Sequence, residues 1–102
     1  MPDYDEKFAA IVEYLLQTFR DAKLSHGWAD AHTYEFRMVR GGLVHKVLFP
    51  RAFLDGRTPA GLTVFVHLQR LGQAMLRAGG RSVLVGEEGI TIQEEPQEPA
   101  SP

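Results

Sequence analysis

The four histidines are the residues of this chain whose chemistry most readily suggests a metal site or proton transfer. No two of them have the i, i+4 spacing that places both imidazoles on one side of a helix, and the chain has no cysteine to complete a mixed site. We therefore expect no metal and no cofactor. His45 lies in an alternating apolar run and is interpreted as a neutral, hydrogen-bonded core residue.

Nucleophilic and acid–base catalysis also lack a recognisable arrangement of residues. The serines occur in no G-x-S-x-G pattern. Across residues 31–81 the carboxylates are Glu35 and Asp55, and Glu35 is expected to pair across a strand with Arg37 or Lys46. The sequence therefore predicts that the protein is not an enzyme.

Cationic side chains are concentrated in the middle of the chain. Residues 31–81 carry eight Lys and Arg against two carboxylates, while both ends are acidic and the whole chain has a net charge of −2. Clustered cations attract polyanions, and a cation beside a helix N-terminus adds to the dipole there. The candidate anion-binding residues are Arg37, Arg40, Arg51, Arg57 and Thr58. Because nucleic-acid-binding domains are usually basic overall, weak binding to a nucleic-acid backbone is the alternative rather than the favoured function.

Length and composition indicate one small globular domain. The chain has 102 residues, 44% of them hydrophobic, which is enough for a single core. It has no apolar run near the ~20 residues that span a bilayer, and its acidic start is unlike a signal peptide. We expect a cytoplasmic protein with one α+β domain over residues 1–94 and a disordered, acidic, proline-rich tail over residues 95–102.

Two helices are predicted from apolar residues that recur every three to four positions. The first covers about residues 4–24, with Asp3 as its N-cap. The second covers about residues 59–78, with Thr58 as N-cap and Pro59 at the first helical position. Its predicted inward stripe consists of Val64, Phe65, Leu68, Leu71, Met75 and Leu76. Residues 25–31 and 50–57 are predicted to be loops.

Two hairpins are predicted from alternating polar and apolar residues. Residues 32–40 and 43–49 alternate on either side of Gly41-Gly42, a pair typical of a two-residue turn in which both positions have positive φ. Such a tight turn fixes the register and sets Arg37 opposite Lys46. A second hairpin is expected from residues 82–86 and 89–94.

The predicted element order is therefore α-β-β-α-β-β. The simplest compact arrangement is a two-layer α+β sandwich, with a four-stranded antiparallel sheet and both helices on one face. In the first hairpin, Tyr34, Phe36 and Met38 would face the helices, and the other side of the sheet would stay uncovered.

The uncovered side is predicted to bind a partner, because aliphatic residues there interrupt the polar alternation of a solvated sheet. The candidate partner-binding residues are Val39, Val44, Lys46, Leu48 and Leu84. The sequence thus predicts a small non-enzymatic interaction protein that forms a homodimer or binds another protein through this side, with no membrane contact. The partner's identity and the biological process cannot be read from the sequence.

Overall fold

A computed structural model of the chain describes residues 4–93. The elements are α1 (Tyr4–Thr18), β1 (Lys23–Asp30), β2 (Thr33–Arg40), β3 (Leu43–Pro50), α2 (Arg51–Asp55), α3 (Pro59–Leu68), α4 (Leu71–Ala78), β4 (Ser82–Gly86) and β5 (Gly89–Ile92). The predicted cap Asp3, the predicted end of the last strand at Glu94 and the predicted tail over residues 95–102 lie outside the described residues.

The sheet has five strands in the order β1-β2-β3-β4-β5, and the pairing of β3 with β4 is parallel. The α+β class is confirmed, but a four-stranded, fully antiparallel sheet was the wrong prediction. The helices α2, α3 and α4 form a crossover that returns the chain to the end of the sheet where β3 began, so β4 runs in the same direction as β3. A half-buried strand shows the same alternation of polar and apolar residues whether it runs parallel or antiparallel to its neighbour. The alternation therefore could not indicate that β4 is parallel to β3.

Strand β1 occupies a segment that was predicted to be the end of a helix and a loop. Helix α1 ends at Thr18, six residues before the predicted end at Leu24. Leu24, His26 and Trp28 then alternate toward the helix side of the sheet, opposite core residues of β2. The alternation was obscured because Gly27 interrupts it and because an edge strand that is mostly exposed needs few apolar residues.

The predicted second helix is broken into α3 and α4. Arg70 adopts the left-handed conformation with φ 55° between them, and its amide closes a tight turn on the carbonyl of His67. Gly72, at the start of α4, packs directly against Thr18 of α1, and its N–H donates to the Tyr14 hydroxyl at 2.8 Å. The break therefore lets α4 approach α1 closely.

The break also corrects the predicted inward stripe. Val64, Leu68 and Leu76 are exposed, Leu68 to 74%. The buried hydrophobic residues of α3 and α4 are Leu62, Phe65, Val66, Leu71, Ala74, Met75 and Ala78. The prediction is correct for Phe65, Leu71 and Met75, which are buried. It is wrong for the other three residues because it extends one helical period across two separate helices.

Helix α2 lies within residues 50–57, where a loop was predicted. It buries Phe53 and Leu54 in the core between the helices and the sheet. A helix of five residues is too short for a 3.6-residue period to be recognised.

The first hairpin agrees with the prediction in its register and in which of its residues face the helices. Arg37 is paired with Lys46, and Gly41 and Gly42 have φ of 60° and 79°. The residues of β2 and β3 that are buried beneath the helices are Tyr34, Phe36, Met38, His45, Val47 and Phe49. All described helices that contribute to the core pack on this one side of the sheet, so the fold has two layers.

Candidate interaction surface

The side of the sheet opposite the helices is called the open face here. Within residues 4–93, no helix packs against it, because the core residues of α1 to α4 all join the cluster on the other side. The central strand β3 contributes Val44, Lys46 and Leu48 to this face, each of them half-buried by its neighbours in the sheet. The open face is thus centred on the middle strand of the sheet.

Strand pairing arranges the open face in three rows that cross the strands. The valine row consists of Lys23, Val39 and Val44. The basic row consists of Ser25, Arg37, Lys46 and Ser82. The leucine row consists of Gly27, Glu35, Leu48, Leu84 and Thr91. Successive rows are two residues apart along each strand, or about 7 Å.

The structure brings all five predicted partner-binding residues onto the open face. Val39 is the direct neighbour of Val44 on the adjacent strand, and Leu48 is the direct neighbour of Leu84. Val39 is 40% exposed, and the other four residues are half-buried. Lys46 lies in the row between the two aliphatic pairs, so the apolar surface is divided by cations rather than continuous.

The charges of the open face follow the predicted register, but Glu35 does not form the predicted ion pair. Arg37 stands directly opposite Lys46, while Glu35 stands opposite Leu48. The expected pairing of Glu35 with Arg37 or Lys46 was wrong: among residues 4–93, the ion pair within 4.0 Å is that of Arg57 with Glu87. Two cations that are cross-strand neighbours repel each other, so the basic row carries a positive charge that the described sheet does not neutralise.

The five predicted anion-binding residues do not converge on one site. Arg37 lies on the open face, whereas the guanidinium of Arg40 lies 5.8 Å from the ring centre of Phe19, a core residue of the helix side. Thr58 caps α3, as predicted, by accepting a hydrogen bond from the Gly61 N–H at 3.0 Å. The cap satisfies a free backbone N–H at the start of α3. This capping role accounts for a threonine at position 58 without a bound anion.

Arg51 and Arg57 each make local contacts that hold them in place. Arg51 stacks over Trp28 at 5.5 Å and donates to the carbonyl of Ala31. Arg57 lies 4.3 Å and 5.1 Å from the ring centres of two core phenylalanines and pairs with Glu87 at 2.9 Å. These two guanidinium groups therefore serve packing and local bonding on different parts of the molecule.

An aromatic cluster that the sequence analysis did not find lies over β1. Phe8 stacks on Tyr34 with ring centres 3.8 Å apart, and Trp28 meets Tyr34 edge to face. The Tyr34 hydroxyl is hydrogen-bonded to Nδ1 of His26. Burial, with a smaller contribution from the negative charge of Asp5, raises the pKa of Tyr34 above its usual value. The signal that could have indicated this cluster was the i, i+2 spacing of His26 and Trp28.

The histidines lie apart from one another. His45 is 4% exposed, and its Nδ1 lies 3.3 Å from the carbonyl oxygen of Met75. His67 meets the ring of Tyr14 edge to face, on the helix layer. In the part of the chain that the structure describes, no three His, Cys, Asp or Glu residues come together in a way that could hold a metal ion.

No helix among residues 4–93 is long and apolar enough to cross a membrane.

Comparison with known proteins adds no further assignment. No protein-family model matches the chain, and the searches of curated proteins and of solved structures found no significant match.

Proposed function

We propose that this protein is a non-enzymatic interaction domain whose open face binds a second copy of the same chain. The observation that carries the proposal is the pair of aliphatic contacts, Val39 with Val44 and Leu48 with Leu84, on a sheet side that no described helix covers. A sheet side that faces water normally alternates to polar residues. Exposed apolar side chains of this kind are typical of protein-binding surfaces.

A second copy is favoured because the open face carries charges of both signs in neighbouring rows. Glu35 lies in the leucine row, and Arg37 and Lys46 lie in the basic row. A symmetric dimer uses the same patch on both subunits, so the patch must complement itself. A face with only one sign of charge could not do this. A small domain also gains stability when a partner covers part of its surface.

The proposal is tested by the mass of the protein in solution. Sedimentation or light scattering over a wide range of protein concentration is expected to give a dimer for the parent chain. Leu48→Asp should give a monomer, because a carboxylate would replace an aliphatic side chain at the centre of the contact. The matched control is Leu68→Asp, which makes the same change on the helix layer at a residue that is 74% exposed. The control should remain a dimer.

A parent chain that stays monomeric at the highest attainable concentration would contradict the proposal. A folded Leu48→Asp variant that dimerises as tightly as the Leu68→Asp control would contradict it too. Circular dichroism establishes that both variants are folded. Binding to heparin or generic nucleic acid that weakens steeply with salt, in place of dimerisation, would favour the alternative function.

A further inference from the structure

The basic row contains two cations that no described residue neutralises. Arg37 and Lys46 are direct neighbours on β2 and β3, and no carboxylate within residues 4–93 lies within 4.0 Å of either. Arg37 is exposed and Lys46 is half-buried, so an anionic group can reach both. Like charges held side by side repel each other, and a carboxylate placed against them forms charge-assisted hydrogen bonds. The row is therefore suited to an acidic ligand.

The structure places the end of β5 in line with the basic row. The Gln93 N–H donates to the carbonyl of Ser82 at 2.9 Å, and Ser82 is the register partner of Lys46. Gln93 is thus two strands away from Lys46 and three strands away from Arg37. At the usual strand spacing these separations are about 10 Å and about 14 Å. The side chain of Ser82 is too short to obstruct a chain that crosses the row.

The residues that follow Gln93 have the charge that complements this row. Residues 94–98 read Glu-Glu-Pro-Gln-Glu, lie outside the described residues and are called the acidic segment here. Five extended residues span about 17 Å, which is enough to reach Arg37 from Gln93. A proline cannot donate to a strand ladder, so Pro96 disfavours a continuation of β5. We infer that the basic row binds the acidic segment of the same chain.

In the inferred arrangement the acidic segment crosses the open face from β4 toward β2. Its first two glutamates then lie against Lys46, and its last glutamate lies against Arg37. A single ion pair at a solvent-exposed site contributes little free energy. Here the segment and the row belong to one chain, so the binding is intramolecular and has a high effective concentration.

The acidic segment competes with the second copy for the open face, an effect that rests on the proposed function. The basic row lies between the two aliphatic pairs that carry the proposed dimer. Two packed sheets lie about 10 Å apart, and their own side chains fill that gap. The segment therefore has to leave the row before two open faces can meet, and it weakens the dimer.

A zero-length carbodiimide crosslink between an amine and a carboxylate tests the binding in the full-length chain, diluted until it is monomeric. The lysines are Lys7, Lys23 and Lys46, so the crosslinked amine identifies the site. Mass spectrometry should find the acidic segment joined to Lys46. Lys23 is the matched control, because it lies on the same face but at the far edge, on β1. Equal linkage to Lys23, or no linkage to Lys46, would overturn the inference.

A mixture of unlabelled and isotope-labelled chains distinguishes contacts within one chain from contacts between copies. The Lys46 products should each come from a single chain, either unlabelled or labelled. Products that join the two kinds of chain as often as random pairing predicts would show that the segment binds another copy, which overturns the inference.

Dimer affinity tests the competition. Removing the three charges of the acidic segment should tighten the dimer about three- to tenfold, because surface ion pairs of modest strength no longer hold the segment on the row. This full-length variant carries Glu94→Gln, Glu95→Gln and Glu98→Gln. The matched control changes net charge equally at exposed residues of α1 and the β4–β5 turn, with Glu6→Gln, Glu13→Gln and Glu88→Gln. Equal affinities of the two variants would overturn the competition.

The outcomes separate this inference from the proposed function. A parent chain that stays monomeric overturns the proposed function and the competition, while the crosslinks still decide whether the acidic segment binds the basic row. A dimeric parent without the Lys46 crosslink retains the proposed function and overturns this inference.

Discussion

Gly72 lies so close to Thr18 that a Cβ atom added to the glycine would come within 2.5 Å of the threonine Cγ2. The contact joins the first turn of α4 to the last turn of α1. It also places the Gly72 N–H where the Tyr14 hydroxyl can accept it. The sharp turn at Arg70, with its left-handed backbone, is what brings α4 to this position.

Gly72→Ala should therefore destabilise the protein by about 1–3 kcal/mol, as overpacking does in a close contact. Denaturant unfolding measures the change. Gly80→Ala is the matched control, because its Cβ would meet Leu43 at 3.6 Å, an ordinary contact distance. Thr18→Ala in the Gly72→Ala background should recover part of the loss. Equal stability of the Gly72→Ala variant and the parent would show that the helices separate without cost.

Arg57 is expected to stabilise the fold mainly through packing rather than through its ion pair. Its guanidinium lies over the rings of both Phe53 and Phe65, while Glu87 is 69% exposed. Arg57→Ala should cost about 1–2 kcal/mol because the stacked aliphatic and guanidinium surface is lost. Glu87→Gln should change the free energy of unfolding by less than about 0.5 kcal/mol. If Glu87→Gln lowered the free energy of unfolding as much as Arg57→Ala does, the stabilisation would be assigned to the ion pair instead.

The first position of the β2–β3 turn should tolerate asparagine and reject valine. Gly41 has φ 60°, in the left-handed region that asparagine enters and β-branched residues avoid. Gly41→Val should destabilise the protein by about 1–2 kcal/mol, whereas Gly41→Asn should be close to neutral. No added Cβ would meet another atom within 4 Å there, so thermal unfolding of the two variants compares backbone conformation and not crowding.

Tyr34 should make the protein less stable in strong alkali. Its pKa is raised in the folded state, chiefly by burial, so the folded protein holds this proton more tightly than the unfolded chain does. The contribution is complete below a pH of about 10 and is lost as the pH rises through the folded-state pKa. Above a pH of about 10, the free energy of unfolding should fall more steeply for the parent than for Tyr34→Phe.

At neutral pH, Tyr34→Phe should be less stable by about 1 kcal/mol, because the hydrogen bond with His26 is lost. Urea unfolding at several pH values measures both effects. Parallel pH profiles for the parent and Tyr34→Phe would show that the ionisation of Tyr34 is not linked to folding.

The sequence by itself determined the parts of the structure that depend on neighbouring residues. Gly41-Gly42 specified a two-residue turn, and the turn fixed which residues of β2 and β3 face each other. The alternation then determined that Phe36 faces the helices and that Arg37 faces away. Thr58 and Pro59 likewise marked the start of α3. Each of these follows from local backbone preference or from side-chain spacing along one strand.

Only the tertiary structure decided the relations between distant segments. The assignment of residues 23–30 to a strand depends on pairing with β2, since β1 is mostly exposed and the alternation of Leu24, His26 and Trp28 is too short and too weakly apolar to indicate a strand alone. The parallel sense of β4 depends on the crossover, and the close contact of Gly72 with Thr18 depends on the break at Arg70. The sequence thus indicated on which side of the sheet Lys46 lies, but not that Ser82 of β4 is its neighbour. Strand order depends on the arrangement of all elements that together bury the core.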